Sequence, residues 1–277
     1  MNADPRDPPA PLQAPENANS LEAASAAADP AAARIRIVLV GTQHPGNMGS
    51  AARAMKTMGL SRLVLVAPEK PIDRDAYAMA AGADDVLEAA AVLPDLAAAV
   101  ADCHLVLGCT ARSRRIALEE LAPREAAARI DGRARGGGEV ALVFGRERTG
   151  LDNEELQLCH AAVHIPANPA YSSLNLGAAV QVLSYELRMA SLAATAAGGA
   201  YERRDPPASH AQLEGFFGQL GDALDAIDFH KGRTPDAAMR KLRRLFLRAD
   251  LDEREVRLLR GVLADVERTA MLAGQRR

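Results

Sequence analysis

Ile35-Arg-Ile-Val-Leu-Val-Gly-Thr-Gln-His-Pro-Gly-Asn-Met-Gly-Ser-Ala-Ala-Arg53 is the stretch on which the fold turns. A β-branched run, Ile35–Val40, reads as a strand and stops at Gly41. Small residues follow, and Ala51, Met55 and Met58 then fall at helical spacing. The same change of period recurs along the chain. Leu63–Val66, His104–Gly108, Val140–Phe144 and Val163–Ile165 read as further strands, and Leu93, Leu96 and Val100 share a helical face. Short apolar strands alternating with helices predict an α/β domain with a parallel sheet flanked by helices.

The remaining chain divides by composition. A helix is expected from near Ser173 to about Ala194, followed by a Gly- and Pro-punctuated linker over residues 196–209. Beyond the linker the pattern is helical only. Leu213, Phe216, Phe217, Leu220 and Leu224 form one stripe; Met239, Leu242, Leu245 and Phe246 a second; Val256, Leu259, Val262 and Val266 a third. This predicts a small all-α domain at 210–277, joined to an α/β domain at 34–195. More than half of residues 1–33 are Ala or Pro and few are bulky and apolar, so this acidic tail is expected to stay disordered.

Composition excludes several function classes. With 277 residues and 48% hydrophobic content the chain can bury a sizeable core. Aromatics make up 3% and Trp is absent, which argues against nucleic-acid binding mainly through base-stacking platforms. The net charge of −3 is concentrated in the tail, leaving a body close to neutral in which local clusters decide partners. The three cysteines, Cys103, Cys109 and Cys159, form no Cys-x-x-Cys pair, and a reducing cytosol is the simplest setting. Cys159, His160 and His164 lie close together, but no second cluster completes a zinc set, so no metal is expected. The start lacks the basic residues and apolar run of a secretory signal, and no segment is apolar for long enough to span a bilayer. The expected location is cytoplasmic.

Four segments concentrate polar groups where a strand ends. Gly41–Arg53 is neither a P-loop, since no Gly-Lys-Ser/Thr follows, nor a dinucleotide fingerprint, since its glycines fall at 41, 46 and 49. By itself it reads as a tight turn with Asn47 capping a helix, although Arg53 stands among small residues and needs a partner or a task. Leu107-Gly-Cys-Thr-Ala-Arg-Ser-Arg-Arg115 opens from a strand into three arginines, whose forked guanidinium suits phosphate. In Val143–Glu155, Asp152 and Glu155 make a capping box, which leaves Gly145, Arg146, Glu147 and Gly150 without a structural duty. In Ile165–Leu183 there is no charge at all. Ser172, Ser173 and Asn175 sit where the next helix leaves donors unpaired, and they either cap it or hold a small polar ligand. In open parallel sheets ligands lie beyond the carboxyl ends of strands, so these loops point to one site. None of them holds a nucleophile–base pair or free paired carboxylates.

Three of these segments are similar to a known family. Asn47-Met-Gly-Ser-Ala-Ala-Arg53, Phe144-Gly-Arg-Glu-Arg-Thr-Gly-Leu151 and Ile165-Pro-Ala-Asn-Pro-Ala-Tyr-Ser-Ser-Leu-Asn-Leu176 resemble the three ordered motifs of the SpoU branch of the SPOUT methyltransferases. Within that branch the chain looks most like the bacterial tRNA cytidine/uridine-2′-O-methyltransferases that act on nucleotide 32 of the anticodon loop. The likeness covers residues 34–195 and continues into the helical end at Lys241-Leu-Arg-Arg-Leu-Phe246. It implies the SPOUT fold with a C-terminal trefoil knot, S-adenosylmethionine as donor, tRNA as substrate, and a homodimer with the active site at the subunit interface. Carried over by position, it implies a donor pocket of Cys109, Thr110, Ala111, Gly145, Ile165, Ser172, Ser173 and Leu174. Arg53 would be the catalytic arginine, with Asn47, Glu147, Ser173 and Asn175 around it. Gly41 and Gln43 fall where relatives vary and receive no role.

Arg112, Arg114, Arg115, Arg146 and Arg148 are candidate phosphate contacts near that site. Between residues 231 and 248, Lys231, Arg233, Arg240, Lys241, Arg243, Arg244 and Arg248 face a single acid, Asp236, and predict an RNA-binding surface. A ribosomal-RNA ribose methyltransferase and a non-catalytic RNA-binding relative are the rival readings. The appended helical domain counts against the first, and the intact Arg53, Ser173 and Asn175 against the second.

Overall fold

The computed structural model describes residues 29–111, 118–197, 205–232 and 234–274. Seven parallel strands form one sheet in the order β3-β2-β1-β6-β4-β7-β5. They are β1 (Ile35–Val40), β2 (Arg62–Val66), β3 (Ala91–Leu93), β4 (Leu105–Cys109), β5 (Glu120–Leu121), β6 (Val140–Phe144) and β7 (Ala161–Val163). The central register is close: Ile37 pairs with Leu63 on one side and Leu142 on the other, and Leu107 pairs with Leu142.

All six β1 residues are buried, as expected of a parallel strand covered on both faces. Alternation sorts them. Ile37 and Leu39 join Leu63, Leu65, Leu107 and Phe144 in one core, whereas Val38 and Val40 join Val64, Val106 and Val143 in the other. The first core is covered mainly by α1 (Pro45–Thr57), α2 (Arg74–Ala80), α5 (Pro123–Arg135) and α7 (Leu176–Ala197), with α3 (Asp84–Glu88) at its edge. The second is covered by α4 (Leu96–Val100) and α6 (Asn153–Gln157). Asp73 and Asp95 cap α2 and α4 through their carboxylates, and the Asp152–Glu155 capping box opens α6 as expected.

Several boundaries differ from the sequence reading; the strand placed at His104–Gly108, for one, runs over Leu105–Cys109. The strand placed at Val163–Ile165 runs over Ala161–Val163, and the long helix begins at Leu176 rather than near Ser173. Residues 29–33, assigned by composition to the tail, include the buried Ala31. Asp29 accepts hydrogen bonds there from Ser191 Oγ (2.6 Å) and Arg135 Nη2 (2.7 Å), which anchors this segment on α5 and α7. Residues 1–28 of the expected tail lie outside the described residues.

The C-terminal helices are α8 (His210–Ala226), α9 (Asp236–Ala249) and α10 (Glu253–Gly274). Ser209 and Gln212 form a capping box at the start of α8. Their core holds Leu213, Phe216, Phe217, Leu220, Leu247 and Val256, with Leu259 and Leu263 packed against it. Leu245 and Val262, placed on the apolar stripes by sequence spacing, are 50% and 54% exposed. The faces are rotated, so that Leu247 and Leu263 turn inward instead. This unit docks on the amino-terminal side of the sheet. His210 and Ala211 donate backbone N–H groups to the carbonyls of Cys103 (2.7 Å) and Ala101 (2.9 Å), just before β4. Arg133 at the end of α5 pairs with Asp250 at the end of α9.

Candidate active site

At the opposite, carboxyl-terminal ends of β4 and β6 lies a cleft of ≈ 510 Å³. Its lining includes Cys109, Thr110, Ala111, Phe144, Gly145, Ser172, Ser173, Leu174, Leu176 and Ala179, with Arg146–Gly150 and Asp152 along the rim. Seven of the eight residues assigned to a donor pocket therefore meet in one place. Ile165 does not line the cleft; it packs against the first core. Phe144, Thr149, Leu176 and Ala179 had no role in the sequence reading. They were legible only as an apolar strand end, a loop and a helix start.

The loops are held by backbone geometry that few residues tolerate. At Gly145 a Cβ would lie 2.2 Å from Gly150 C and Leu151 N, because the turn folds back on itself through the Gly150 N–H to Arg146 carbonyl bond of 2.8 Å. Gly41 has φ +59° and lies under the Arg146 side chain, where a Cβ would meet Nε at 2.8 Å. Gly41, left without a role above, is thus required by the site's own packing.

Glu147 is the hub of this region. Its carboxylate accepts from the backbone N–H of Gln43 (3.0 Å) and His44 (3.2 Å) and from Asn47 Nδ2 (2.8 Å). Asn47 Oδ1 in turn accepts from Asn175 Nδ2 (3.1 Å), and Asn175 Oδ1 accepts from the Gly177 N–H (2.9 Å). A single relay thus ties the loop after β1, the turn after β6 and the head of α7. Burial alone would raise the Glu147 pKa. The Asn47 amide and the Gln43 and His44 N–H groups outweigh it and hold the carboxyl below its ordinary value. His44, not Asn47, occupies the N-cap of α1, and Pro45 supplies the first turn. Asn175 rather than the serines caps α7, which leaves Ser172 and Ser173 facing the cleft. Burial pushes the Cys109 thiol up to about 12, so this wall stays neutral. His164 Nδ1 lies 3.2 Å from the Thr110 carbonyl and His160 Nδ1 accepts from the Val106 N–H at 3.1 Å. Among the described residues no group of three His, Cys, Asp or Glu side chains is placed to hold a metal.

The predicted cations separate into two groups. Arg146 is engaged: its Nη1 bonds both Glu155 oxygens at 3.0 and 3.1 Å, so its guanidinium braces the turn rather than awaiting a phosphate. Arg243 is likewise paired, with Glu214. Arg148, Arg240, Lys241 and Arg248 are exposed and Arg244 half-buried, while Arg112, Arg114, Arg115 and Arg233 lie outside the described residues. Arg53 is exposed on α1 and does not line the cleft of its own chain.

Comparison with known proteins agrees with this arrangement. The model of the SpoU rRNA methylase family matches residues 34–185, which contain the whole cleft. The chain belongs to the SpoU methylase family. A second model, the C-terminal domain of the tRNA methyltransferase TrmJ, matches residues 211–275. The protein named tRNA (cytidine/uridine-2′-O-)-methyltransferase TrmJ from Escherichia coli is 51% identical over 234 residues, 84% of this chain and 95% of that one. Among solved structures, TrmJ from Z. mobilis superimposes with a TM-score of 0.71 at 36% identity, covering 84% of this chain and 98% of the other. A probable methylase family protein from Haemophilus influenzae gives 0.57 at 43% identity, covering 87% and 99%. This SpoU methylase therefore shares both its cleft-bearing domain and its helical domain with these relatives.

Proposed function

We propose that this SpoU methylase is an S-adenosylmethionine-dependent tRNA ribose 2′-O-methyltransferase acting on cytidine or uridine at position 32 of the anticodon loop. The observation that carries the reading is one cleft lined by two of the motif segments, to which the third, Asn47–Arg53, is tied through the Glu147–Asn47–Asn175 relay. The match to the relative named tRNA (cytidine/uridine-2′-O-)-methyltransferase, over 84% of this chain and 95% of that one, supports the substrate class. The residues present fit an adenosyl donor. Phe144, Leu174, Leu176 and Ala179 give apolar surface, Thr110, Ser172 and Ser173 give uncharged hydroxyls, and the neutral Cys109 adds no charge. S-adenosylmethionine supplies an electrophilic sulfonium methyl group when bound.

The chain's own part is then to present the ribose hydroxyl and hold its neighbourhood. A guanidinium keeps its proton at neutral pH, so Arg53 grips the adjoining phosphate and polarises the 2′-hydroxyl rather than abstracting its proton. Most of the acceleration comes from positioning. Because Arg53 stands outside its own chain's cleft, we assign it to the cleft of a second copy, in a homodimer with the active site at the interface. Tyr185 and Met189 on α7, which packs on α1, are 48% and 43% exposed and supply apolar surface for that contact. The family resemblance also carries a trefoil knot through the C-terminal part of the α/β domain and a cytoplasmic location.

Arg148, Arg240, Lys241, Arg244 and Arg248, with Arg112, Arg114 and Arg115, serve as contacts to RNA phosphates. The test is Arg53→Ala: methyl transfer to tRNA should be lost while S-adenosylmethionine binds with unchanged affinity. Full activity in that variant would overturn the catalytic assignment.

A further inference from the structure

Arg243 sits in the middle of the cationic helix α9, yet its guanidinium is held against α8 and α6. Its Nη1 donates to Glu214 Oε2 at 2.9 Å and its Nη2 pairs with the other carboxylate oxygen, while its Nε donates to the Gln157 carbonyl at 3.3 Å. The guanidinium carbon lies 4.6 Å from the centre of the Phe217 ring, and the side chain is 18% exposed. A single planar fork thus joins α9 to α8 and to the last residue of α6. Such multidentate, stacked sites suit Arg and not Lys. His210 Nε2 lies 3.5 Å from the same Glu214 carboxylate, and the backbone N–H groups of His210 and Ala211 dock on Cys103 and Ala101.

The place of α6 gives this contact its meaning. Asp152 caps it at the cleft rim, and Glu155, one turn on, holds Arg146 over Gly41. Gln157 ends it, and there Arg243 attaches. The exposed Arg240, Lys241 and Arg248 are therefore referenced to the cleft through α6 rather than through the linker alone. We propose that Arg243 is a positioning residue: a strut that sets the cationic face of α9 relative to the donor cleft, and not a phosphate contact. The proposal rests on reading the exposed α9 cations as RNA contacts.

The test compares the full chain with Arg243→Ala, Arg243→Lys, Glu214→Ala and the double variant R243A/E214A. Two quantities are read: hydrogen exchange at the His210 and Ala211 amides, and tRNA affinity across a salt series. With a strut, Arg243→Ala and Glu214→Ala each speed exchange at those amides at least tenfold and weaken tRNA binding several-fold. The slope of log affinity against log salt stays unchanged, and the double variant is no worse than the weaker single one. A direct phosphate contact predicts the reverse pattern. Arg243→Ala would then lower the slope by about 0.7–0.9, and Glu214→Ala, which releases a cation, would bind tRNA as tightly or more tightly. That pattern, or wild-type exchange in both single variants, overturns the proposal. Arg243→Lys keeps the charge and covers the case in which the alanine variants unfold: a strut predicts faster exchange at unchanged slope, a phosphate contact wild-type exchange. Faster exchange in a protein whose wild-type form ignores tRNA would count against the proposed function while leaving the strut in place.

Discussion

Glu147 and Gly145 carry the site in different ways. In Glu147→Gln the oxygen that accepts only from the Gln43 N–H becomes an NH2 donor facing that donor, and the bonds from His44 and Asn47 lose the charge that strengthens them. At neutral pH the variant should be less stable by about 1 kcal/mol, the order of one hydrogen bond at a half-buried group, and slower in methyl transfer. The wild-type pKa is depressed below the ordinary value of 4.5, so its contribution is complete above that pH. It is lost as pH falls further, through the folded-state value. Urea melts of both proteins should therefore converge below about pH 4.5; a gap that persists in acid would contradict the hub. Gly145→Ala places a methyl group against backbone atoms that cannot swing aside. It should cost about 1–3 kcal/mol and abolish donor binding by calorimetry, whereas an undisturbed binding isotherm would mean that the turn is softer than its packing implies. At this scale the sequence reading put Gly145, Ser172 and Ser173 in segments that the fold brings to one cleft, but it gave Gly41 no role and misassigned two arginines. Arg146 and Arg243 were grouped with phosphate contacts by type and clustering. Their carboxylate partners, Glu155 and Glu214, come together with them only through the fold.

Among the elements, the long β-branched runs were recognisable because burial on both faces leaves few polar residues in them. Strands β3 and β5 were not, since three and two residues at the sheet's edges carry no period to detect. The order that places β6 between β1 and β4 depends on long-range pairing and has no local trace. The docking of α8 onto β4 was equally hidden, and it buries His210 6.4 Å from His160. Burial lowers the His160 pKa to about 3. Burial and the nearby Arg243 also lower that of His210, against an opposing pull from Glu214. Both are depressed relative to the unfolded chain, which takes up protons first. Stability supplied by the neutral rings is therefore present above the unfolded value of 6.5 and falls as the pH drops below it. Each proton so withheld is worth at most about 1.4 kcal/mol per pH unit. The melting temperature should decline from pH 7 toward pH 5, and His210→Phe, which removes one of these titrations, should flatten the decline. An unchanged slope in that variant would show that His210 is solvated in solution.

For the whole molecule, the donor cleft and the helical domain occupy opposite rims of the sheet, a strand's length of about 16 Å apart. An RNA that reaches both must extend well beyond one nucleotide, as a tRNA does; in the proposed homodimer, Arg53 of a second copy completes the cleft. The α/β and all-α division was plain in the sequence because the period of the apolar residues changes at the linker. Which rim the second unit occupies was not, since backbone N–H groups and one inward-facing arginine decide it. Transfer of a methyl group to a ribose oxygen in tRNA leaves a product that can be mapped to one atom. The most direct measurement incubates the protein with labelled S-adenosylmethionine and a tRNA pool, then maps the labelled nucleotide and the atom that carries the label. The expected product is a 2′-O-methyl group on a cytidine or uridine at position 32; a label on a base, or none on tRNA, would overturn the proposed function.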